Sequence, residues 1–536
     1  MNNLEPEKYD GNIEYKSTLI NISPDIFNRR VTQMKYRVYE GNGEAFYFIG
    51  VSDNGDLLGL NESDYNESVN NLKLIAEKID CNIIKISESN NKNSFVGEFL
   101  IRENDNINYI DLKIAIAGNV DSGKSTTIGT LTKGVLDNGR GSARVHVFNF
   151  KHEVDSGRTS SIGHQIMGFD INGSVVASKT DRCSTWSDIV NQSSKIITFY
   201  DLAGHEKYLR TTIYGLTTIY PDYCLIMIGA NMGINHMTRE HIGLCINLKI
   251  PFIIIITKID IVPLNVLEET ISKINNMCKN RIRKIPYTIK TSSDLMNVIK
   301  NIKSDSIVPI IQISNVSNYN LDLLKNMLNL LPVRNDYSQF VNSSIELLID
   351  STYSVVGHST IISGLLKCGT ILVNDILAVG PFSDSTYKQV KVRSIHCKYK
   401  DIKEAKAGSY ICVSLKNITR REIKKGMVLV PDTIKTKLAV KEFWALIHIL
   451  HSPTTIKVGY QPFVHIEQVR QAVKILEIIK IDSDDDEQIL RTGDKAKVKL
   501  QFLIKPEYIK DNMKLIFREG KVKATGKIIN NTILVS

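Results

Sequence analysis

The run Leu112-Lys113-Ile114-Ala115-Ile116-Ala117-Gly118-Asn119-Val120-Asp121-Ser122-Gly123-Lys124-Ser125-Thr126 decides the fold. Its first half is apolar and short, as a buried strand between helices is. Its second half matches GxxxxGK[ST] from Gly118 to Ser125, with Thr126 next. Glycines at both ends let the backbone curl, so that the N–H groups of Gly118, Asn119, Val120, Asp121, Ser122 and Gly123 can face phosphate oxygens. The helix that follows adds the positive end of its dipole. Lys124 can reach the β- and γ-phosphates, and the Ser125 hydroxyl can ligate Mg²⁺, with Thr126 continuing the helix start.

Working outward, three further boxes each follow an apolar run. Asp201-Leu202-Ala203-Gly204 ends the run Ile196–Tyr200. Asp201 is expected to hold Mg²⁺ through a water, and the Gly204 N–H to meet the γ-phosphate, where a side chain would block the approach. Thr257-Lys258-Ile259-Asp260 ends the run Ile253–Ile256, with threonine where asparagine is usual in this box. The Asp260 carboxylate can accept from guanine's ring N–H and exocyclic amino group, and adenine would leave it unpaired and desolvated. The Lys258 stem can lie across the base. Ser314-Asn315-Val316 follows the run Ile307–Ile313 and is expected to meet the guanine oxygen through its backbone. Four boxes in this order, each after a strand, predict a GTP/GDP switch.

The rest of the chain fits around that centre. Alternating βα texture spans about 111–335 and predicts a doubly wound α/β P-loop GTPase domain. Two β-barrel domains are expected at 336–432 and 433–536, where short β-rich runs are broken by turns. Residues 1–110 read as an extra α+β region without a chemical motif, with a helix around Val69–Ile79 and a loop over Glu88–Asn93. The 536 residues are 43% hydrophobic and 23% charged, enough for several independent cores. The longest branched-aliphatic run, Ile253–Ile256, is far short of the roughly 20 residues of a membrane helix. No signal peptide is visible at the start, and the eight cysteines, never closer than 15 residues, predict scattered reduced thiols in a cytoplasmic protein. Residues 1–110 hold 11 Lys/Arg against 18 Asp/Glu, and 111–536 hold 56 against 39. A basic body suits a phosphate-rich partner.

Between the first two boxes lies Glu153-Val154-Asp155-Ser156-Gly157-Arg158-Thr159-Ser160-Ser161. One hydroxyl here should complete the Mg²⁺ shell only while a γ-phosphate is present, which is how hydrolysis frees such a loop. Thr159 is the choice among Thr159, Ser160 and Ser161. His205, next to Gly204, is placed to orient the attacking water, since phosphoryl transfer asks for positioning and charge stabilisation.

The segment Asp201–Tyr208, with Met237-Thr238-Arg239-Glu240-His241, resembles switch II of translational GTPases of the elongation factor Tu and elongation factor 1-alpha type. Val390–Ile395, Lys424–Leu429, Leu490–Asp494 and Phe517-Arg518-Glu519-Gly520 look like their second and third domains. Within that group, Gly157–Ser161 and the fourth box with Asn320–Leu324 are most similar to the branch of GTP-binding proteins 1 and 2. The resemblance implies GTP hydrolysis stimulated by the ribosome, aminoacyl-tRNA held by the barrels, and for this branch a link to RNA-decay machinery. It aligns Thr159 with the family's magnesium-contacting threonine. It also makes Val120 one half of an apolar gate around His205, with Arg158 where the other apolar half stands.

Other features read as structural. Asp482–Glu487 is taken as a solvated loop, Trp444, Tyr460 and Phe463 as barrel core, and His448, His451 and His465 as structural histidines. Three function classes follow, for a chain expected to be monomeric: a ribosome-associated GTPase carrying tRNA, a GTP-gated interaction factor of RNA turnover, and the GTPase subunit of a sulfate-activating enzyme.

Overall fold

The structure, a computed structural model, describes residues 4–91, 93–103, 109–148, 151, 153, 159–176, 186–353, 360–433, 437–481, 488–519 and 522–529. Arg158 and Asp482–Glu487 lie outside them. The chain forms two compact units: one takes residues up to 334 apart from 207–220 and 246–249, and the other takes those two segments and the chain from 335. Among the described residues no helix is long and apolar enough to cross a membrane.

The first unit contains two sheets. Strands β1 (Ile13–Lys16), β2 (Glu44–Ile49), β3 (Cys81–Asn91) and β4 (Ser94–Glu103) form one, in the order β1-β2-β4-β3, beside the helices Pro24–Glu40 and Glu62–Glu77. Ser23 and Asn61 start those helices, each accepting from the N–H three residues on, at 3.4 and 2.9 Å. The loop expected over Glu88–Asn93 is instead mostly strand. Glu88 to Asn91 pair with Gly97 to Ser94, and Asn93 turns the chain at φ +64. Cross-strand pairing overrides the low β-propensity of asparagine there, which suits only the turn itself.

The second sheet has eight strands: β5 (Ile110–Gly118), β6 (Gly163–Phe169), β7 (Val175–Val176), β8 (Lys195–Asp201), β9 (Tyr223–Gly229), β10 (Phe252–Thr257), β11 (Ile285–Thr288) and β12 (Ile307–Gln312). Their order is β11-β12-β10-β9-β5-β8-β6-β7, and β6 alone runs against the others, antiparallel to both β8 and β7. Four of the central five, β5, β8, β10 and β12, are the apolar runs read above, and β9 between them is equally apolar over Cys224–Ile228. Pro309 sits within β12, opposite Tyr287 of β11. Ligands of such sheets bind beyond the carboxyl ends of the strands, the ends that here carry Gly118, Asp201, Thr257 and Ser314.

One hydrophobic core runs from the four-stranded sheet into the eight-stranded one, from Tyr15, Phe46, Phe48 and Leu100 to Ile299, Ile302, Leu324 and Leu328. A buried ionic cluster fastens the same junction. Lys195 Nζ donates to Glu44 Oε2 (2.9 Å) and to the carbonyls of Asn329 (2.7 Å) and Leu331 (2.8 Å). Arg102 donates to Glu44 Oε1 (2.9 Å) and Asn329 Oδ1 (2.7 Å). All four side chains are buried, so the cations are satisfied by a carboxylate and by carbonyls at a helix end, where positive charge is favoured.

In the second unit seven of the strands between Glu346 and Pro431 form one sheet, and pairing of Ile376–Gly380 with Lys388–Cys397 closes six of them into a barrel. Six strands between Glu442 and Ile529 close a second barrel. The helix Leu209–Ile219 belongs to this unit, with Thr217 Oγ1 donating to the Glu467 carbonyl at 2.9 Å. Trp444 corrects an expectation. Phe443, Ala445, Ile447 and Ile449 fill the barrel, while Trp444 stands half-buried on its outer face. Phe463 is likewise outward, 4.9 Å under the Arg210 guanidinium, and only Tyr460 packs against the core. Strand alternation allows one phase inward, and the phase without Glu442 and His448 took it.

Candidate functional site

The loop after β5 is shaped by three backbone positions of positive φ: Gly118 (+152), Asp121 (+59) and Gly123 (+85). A Cβ on Gly118 would stand 2.5 Å from the Met227 carbonyl, so the strand neighbour requires glycine. Gly123 precedes the helix Lys124–Lys133 without a side-chain cap, which leaves the helix's first N–H groups open to a ligand. Ser122 Oγ donates to the Asn119 carbonyl (2.8 Å), and Thr257 Oγ1 donates to the Ser122 carbonyl (2.9 Å), fixing the loop from across the sheet. Lys124 Nζ lies inside the loop, 2.7 Å from the Asn119 carbonyl. Burial lowers its pKa, against the pull of Asp201 and Asp121.

Three oxygens expected around one cation converge. Ser125 Oγ donates to Asp201 Oδ2 at 2.5 Å, Thr159 Oγ1 to the same oxygen at 3.2 Å, and the two hydroxyls are 3.0 Å apart. Burial raises the Asp201 carboxyl, and Lys124, Ser125 and Thr159 oppose it. Asp201 Oδ1 is buried without a hydrogen-bond partner among the described residues. A buried carboxylate oxygen left open beside two hydroxyls is a hard-oxygen donor set of the kind Mg²⁺ takes with substrate phosphates, so these residues fit the ion.

Gly204 meets the loop closely: a Cβ there would stand 2.5 Å from Lys124 Nζ and 2.7 Å from the Gly118 carbonyl. His205 and Val120 line the same pocket as Lys124, Ser125, Thr126 and Thr159. Glu153, buried, organises the hydroxyl segment: its Oε1 accepts from the N–H groups of Ser160 (2.7 Å) and Ser161 (3.0 Å) and from both hydroxyls. It leaves Thr159 as the hydroxyl facing Asp201.

At the far strand ends, Thr257 is buried, Lys258 turns at φ +58 and Asp260 is exposed in the short turn Ile259–Ile261. The neighbouring strand end carries Ser314, whose Oγ accepts from the N–H groups of Val316 (3.2 Å) and Ser317 (3.1 Å). Asn315 sends its side chain to Thr127 Oγ1 (2.9 Å), away from solvent, and Val316 is partly exposed. Register joins these ends, with Ile256 beside Gln312.

Sequence reasoning missed Arg144, which also lines the pocket, and the structural parts played by Glu153 and Asp137. Arg144 and Asp137 sit in no motif, and Glu153 heads the segment that ends in Ser161 without a role of its own being read there.

The family described as "Elongation factor Tu GTP binding domain" matches residues 111–333. "GTP-binding protein 1" of Xenopus laevis is 42% identical over 523 residues, covering 97% of this chain and 78% of the relative. "GTP-binding protein 2" of Homo sapiens is 41% identical over 537 residues, covering 98% and 88%. "Elongation factor 1-alpha" of Pyrococcus abyssi is 26% identical over 415 residues, covering 73% and 89%. The fold is similar to that of elongation factor SelB from Methanococcus maripaludis in complex with the GTP analogue GppNHp, at TM-score 0.56 and 18% identity, covering 80% of each chain. It is also similar to bacterial selenocysteine-specific elongation factor EF-Sec, at TM-score 0.56 and 18% identity, covering 78% of this chain and 58% of that one.

Proposed function

The chain belongs to the translational GTPase family of the elongation factor Tu type, in the branch of GTP-binding proteins 1 and 2, and on that premise we propose that it binds GTP with Mg²⁺ and hydrolyses it on the ribosome while carrying aminoacyl-tRNA. The observation that carries the catalytic part is the meeting of Ser125, Thr159 and Asp201 beside Lys124, with one buried Asp201 oxygen open.

The backbone of residues 118–124 and Lys124 bind the β- and γ-phosphates. Ser125, Thr159 and Asp201 would hold the magnesium ion, Asp201 by way of a water. The ion, when bound, neutralises phosphate charge. The Gly204 N–H approaches the γ-phosphate because no side chain intervenes. His205 orients the water that attacks phosphorus, with Val120 excluding others. Asp260 and Lys258 read the base, and the backbone at Ser314, Asn315 and Val316 supports its oxygen. Loss of the γ-phosphate removes the reason for Thr159 to stay, and the segment held by Glu153 is released.

A GTPase assay on the full chain, with and without ribosomes and charged tRNA, tests this. Hydrolysis should rise with ribosomes, and aminoacyl-tRNA binding should require GTP. Binding of neither GTP nor GDP in the presence of Mg²⁺ sinks the site assignment. Hydrolysis indifferent to ribosomes and charged tRNA sinks the translational part alone.

A further inference from the structure

A second cation faces the phosphate loop. Arg144 lines the pocket with Val120, Asp121, Lys124, Thr159 and His205. Its Nη1 is 3.9 Å from Asp121 Oδ1, and its side chain is 31% exposed. That separation is beyond hydrogen-bond range, so Asp121 steers the guanidinium without holding it by a direct hydrogen bond.

The backbone under Arg144 is built with care for position. Asp137 gathers four donors into its carboxylate: the N–H groups of Gly139 (3.0 Å), Gly141 (3.1 Å) and Ala143 (3.0 Å), and the Ser142 hydroxyl (3.3 Å). The Asp137 N–H in turn donates to the Asn315 carbonyl at 2.9 Å, tying the loop to the fourth box. The turn Ala143–His146 then lies so close on the helix Lys124–Lys133 that a Cβ on Gly129 would be 2.1 Å from the Ala143 carbonyl. Gly141, at φ +87, leaves the space that the Arg144 head occupies; a Cβ there would be 2.5 Å from Nε.

We propose that Arg144 is an arginine supplied in cis that stabilises the charge developing on the phosphates during hydrolysis, a role that rests on the GTPase reading above. In that step the water oxygen forms a bond to the γ-phosphorus while the bond from that phosphorus to the bridging oxygen breaks. The electron pair stays on the β-phosphate of GDP, and the water's proton leaves with the released phosphate. The guanidinium remains protonated and donates N–H groups to the oxygens that gain charge. Lys124, committed to the loop interior, serves the ground state as well as the transition state; a planar fork entering from the side can favour the latter.

The test uses the full chain, its R144A and R144K variants, single-turnover GTP hydrolysis, and affinity for GDP alone and for GDP with aluminium fluoride. R144A should slow hydrolysis by about tenfold or more, as loss of such an arginine does, and weaken aluminium fluoride-dependent binding by a like factor. Affinity for GDP should change by less than about threefold, the mark of an interaction made in the transition state, and that retained affinity also reports a folded protein. R144K should fall between the two. An unchanged rate in R144A beside an active wild type overturns this role alone. A loss of GDP affinity matching the loss of rate overturns it too, by making Arg144 a uniform binder or a prop. A wild type that takes up no guanine nucleotide overturns both readings.

Discussion

In the proposed site His205 and Asp260 serve opposite ends of the nucleotide and should fail in different ways. On the proposed reading, His205→Ala removes a water-orienting group from a pocket whose phosphate contacts would come from the backbone and Lys124. It should keep nucleotide affinity and slow single-turnover hydrolysis by about tenfold or more, and full activity would mean another group positions the water. Asp260→Asn reverses one donor–acceptor contact, so affinity should move from guanine toward xanthine nucleotides; competition binding reads this directly, and unchanged GTP affinity would remove Asp260 from base reading. At this scale the sequence is legible where chemistry is contiguous. Gly118–Thr126, Asp201–Gly204 and Thr257–Asp260 are each short, and each is delivered whole by one strand end. Arg144 is illegible for the opposite reason, since folding alone brings it to the pocket, and Asp137 and Glu153 are illegible because their donors are largely backbone N–H groups, which no side-chain motif records.

The elements that carry those residues are constrained by close approach. Gly204→Ala would drive a methyl group to within 2.7 Å of the Gly118 carbonyl, which cannot swing aside as the Lys124 amine can. Fluorescent-nucleotide binding should show GDP retained and triphosphate binding weakened by about tenfold or more, the cost of a shifted contact to a charged group. Equal affinity for both forms would show that Gly204 does not approach the γ-phosphate. Elements legible in the sequence are those with uniform burial: β5, β8, β9, β10 and β12 are apolar on both faces. β6 and β7 escaped notice because His164 and Gln165 interrupt the apolar pattern towards the sheet edge. Trp444 shows a subtler limit. Alternation along Glu442–His451 is plain, but which phase turns inward depends on barrel closure, which no local pattern records.

Across the whole molecule, the four-stranded sheet is joined to the eight-stranded one by buried charge. Burial raises the Glu44 carboxyl, but Lys195 and Arg102 outweigh it and hold it below its ordinary value of 4.5. Burial also pushes Lys195 down to about 8, with Glu44 opposing. A carboxyl lower in the folded than in the unfolded chain contributes stability above about pH 4.5 and loses it as pH falls through the folded value. Glu44→Gln should therefore destabilise the protein near neutrality by about 3–5 kcal/mol, the cost of leaving buried cations without their anion. Its remaining stability should fall less steeply in acid. Denaturant melts at several pH values check both, and a neutral-pH stability equal to wild type would mean water or other groups replace the carboxylate.

The same junction governs how the protein can be dissected. A fragment cut at residue 111 to mimic a shorter elongation factor would leave Lys195, at the root of the strand that ends in Asp201, facing solvent beside a stripped apolar floor. Such a piece should precipitate or swell when expressed, whereas one starting ahead of Ile13 should stay intact. Anyone assigning a task to the acidic front by deleting it will be measuring a ruined foundation, and point changes on its outer surface are the safer instrument.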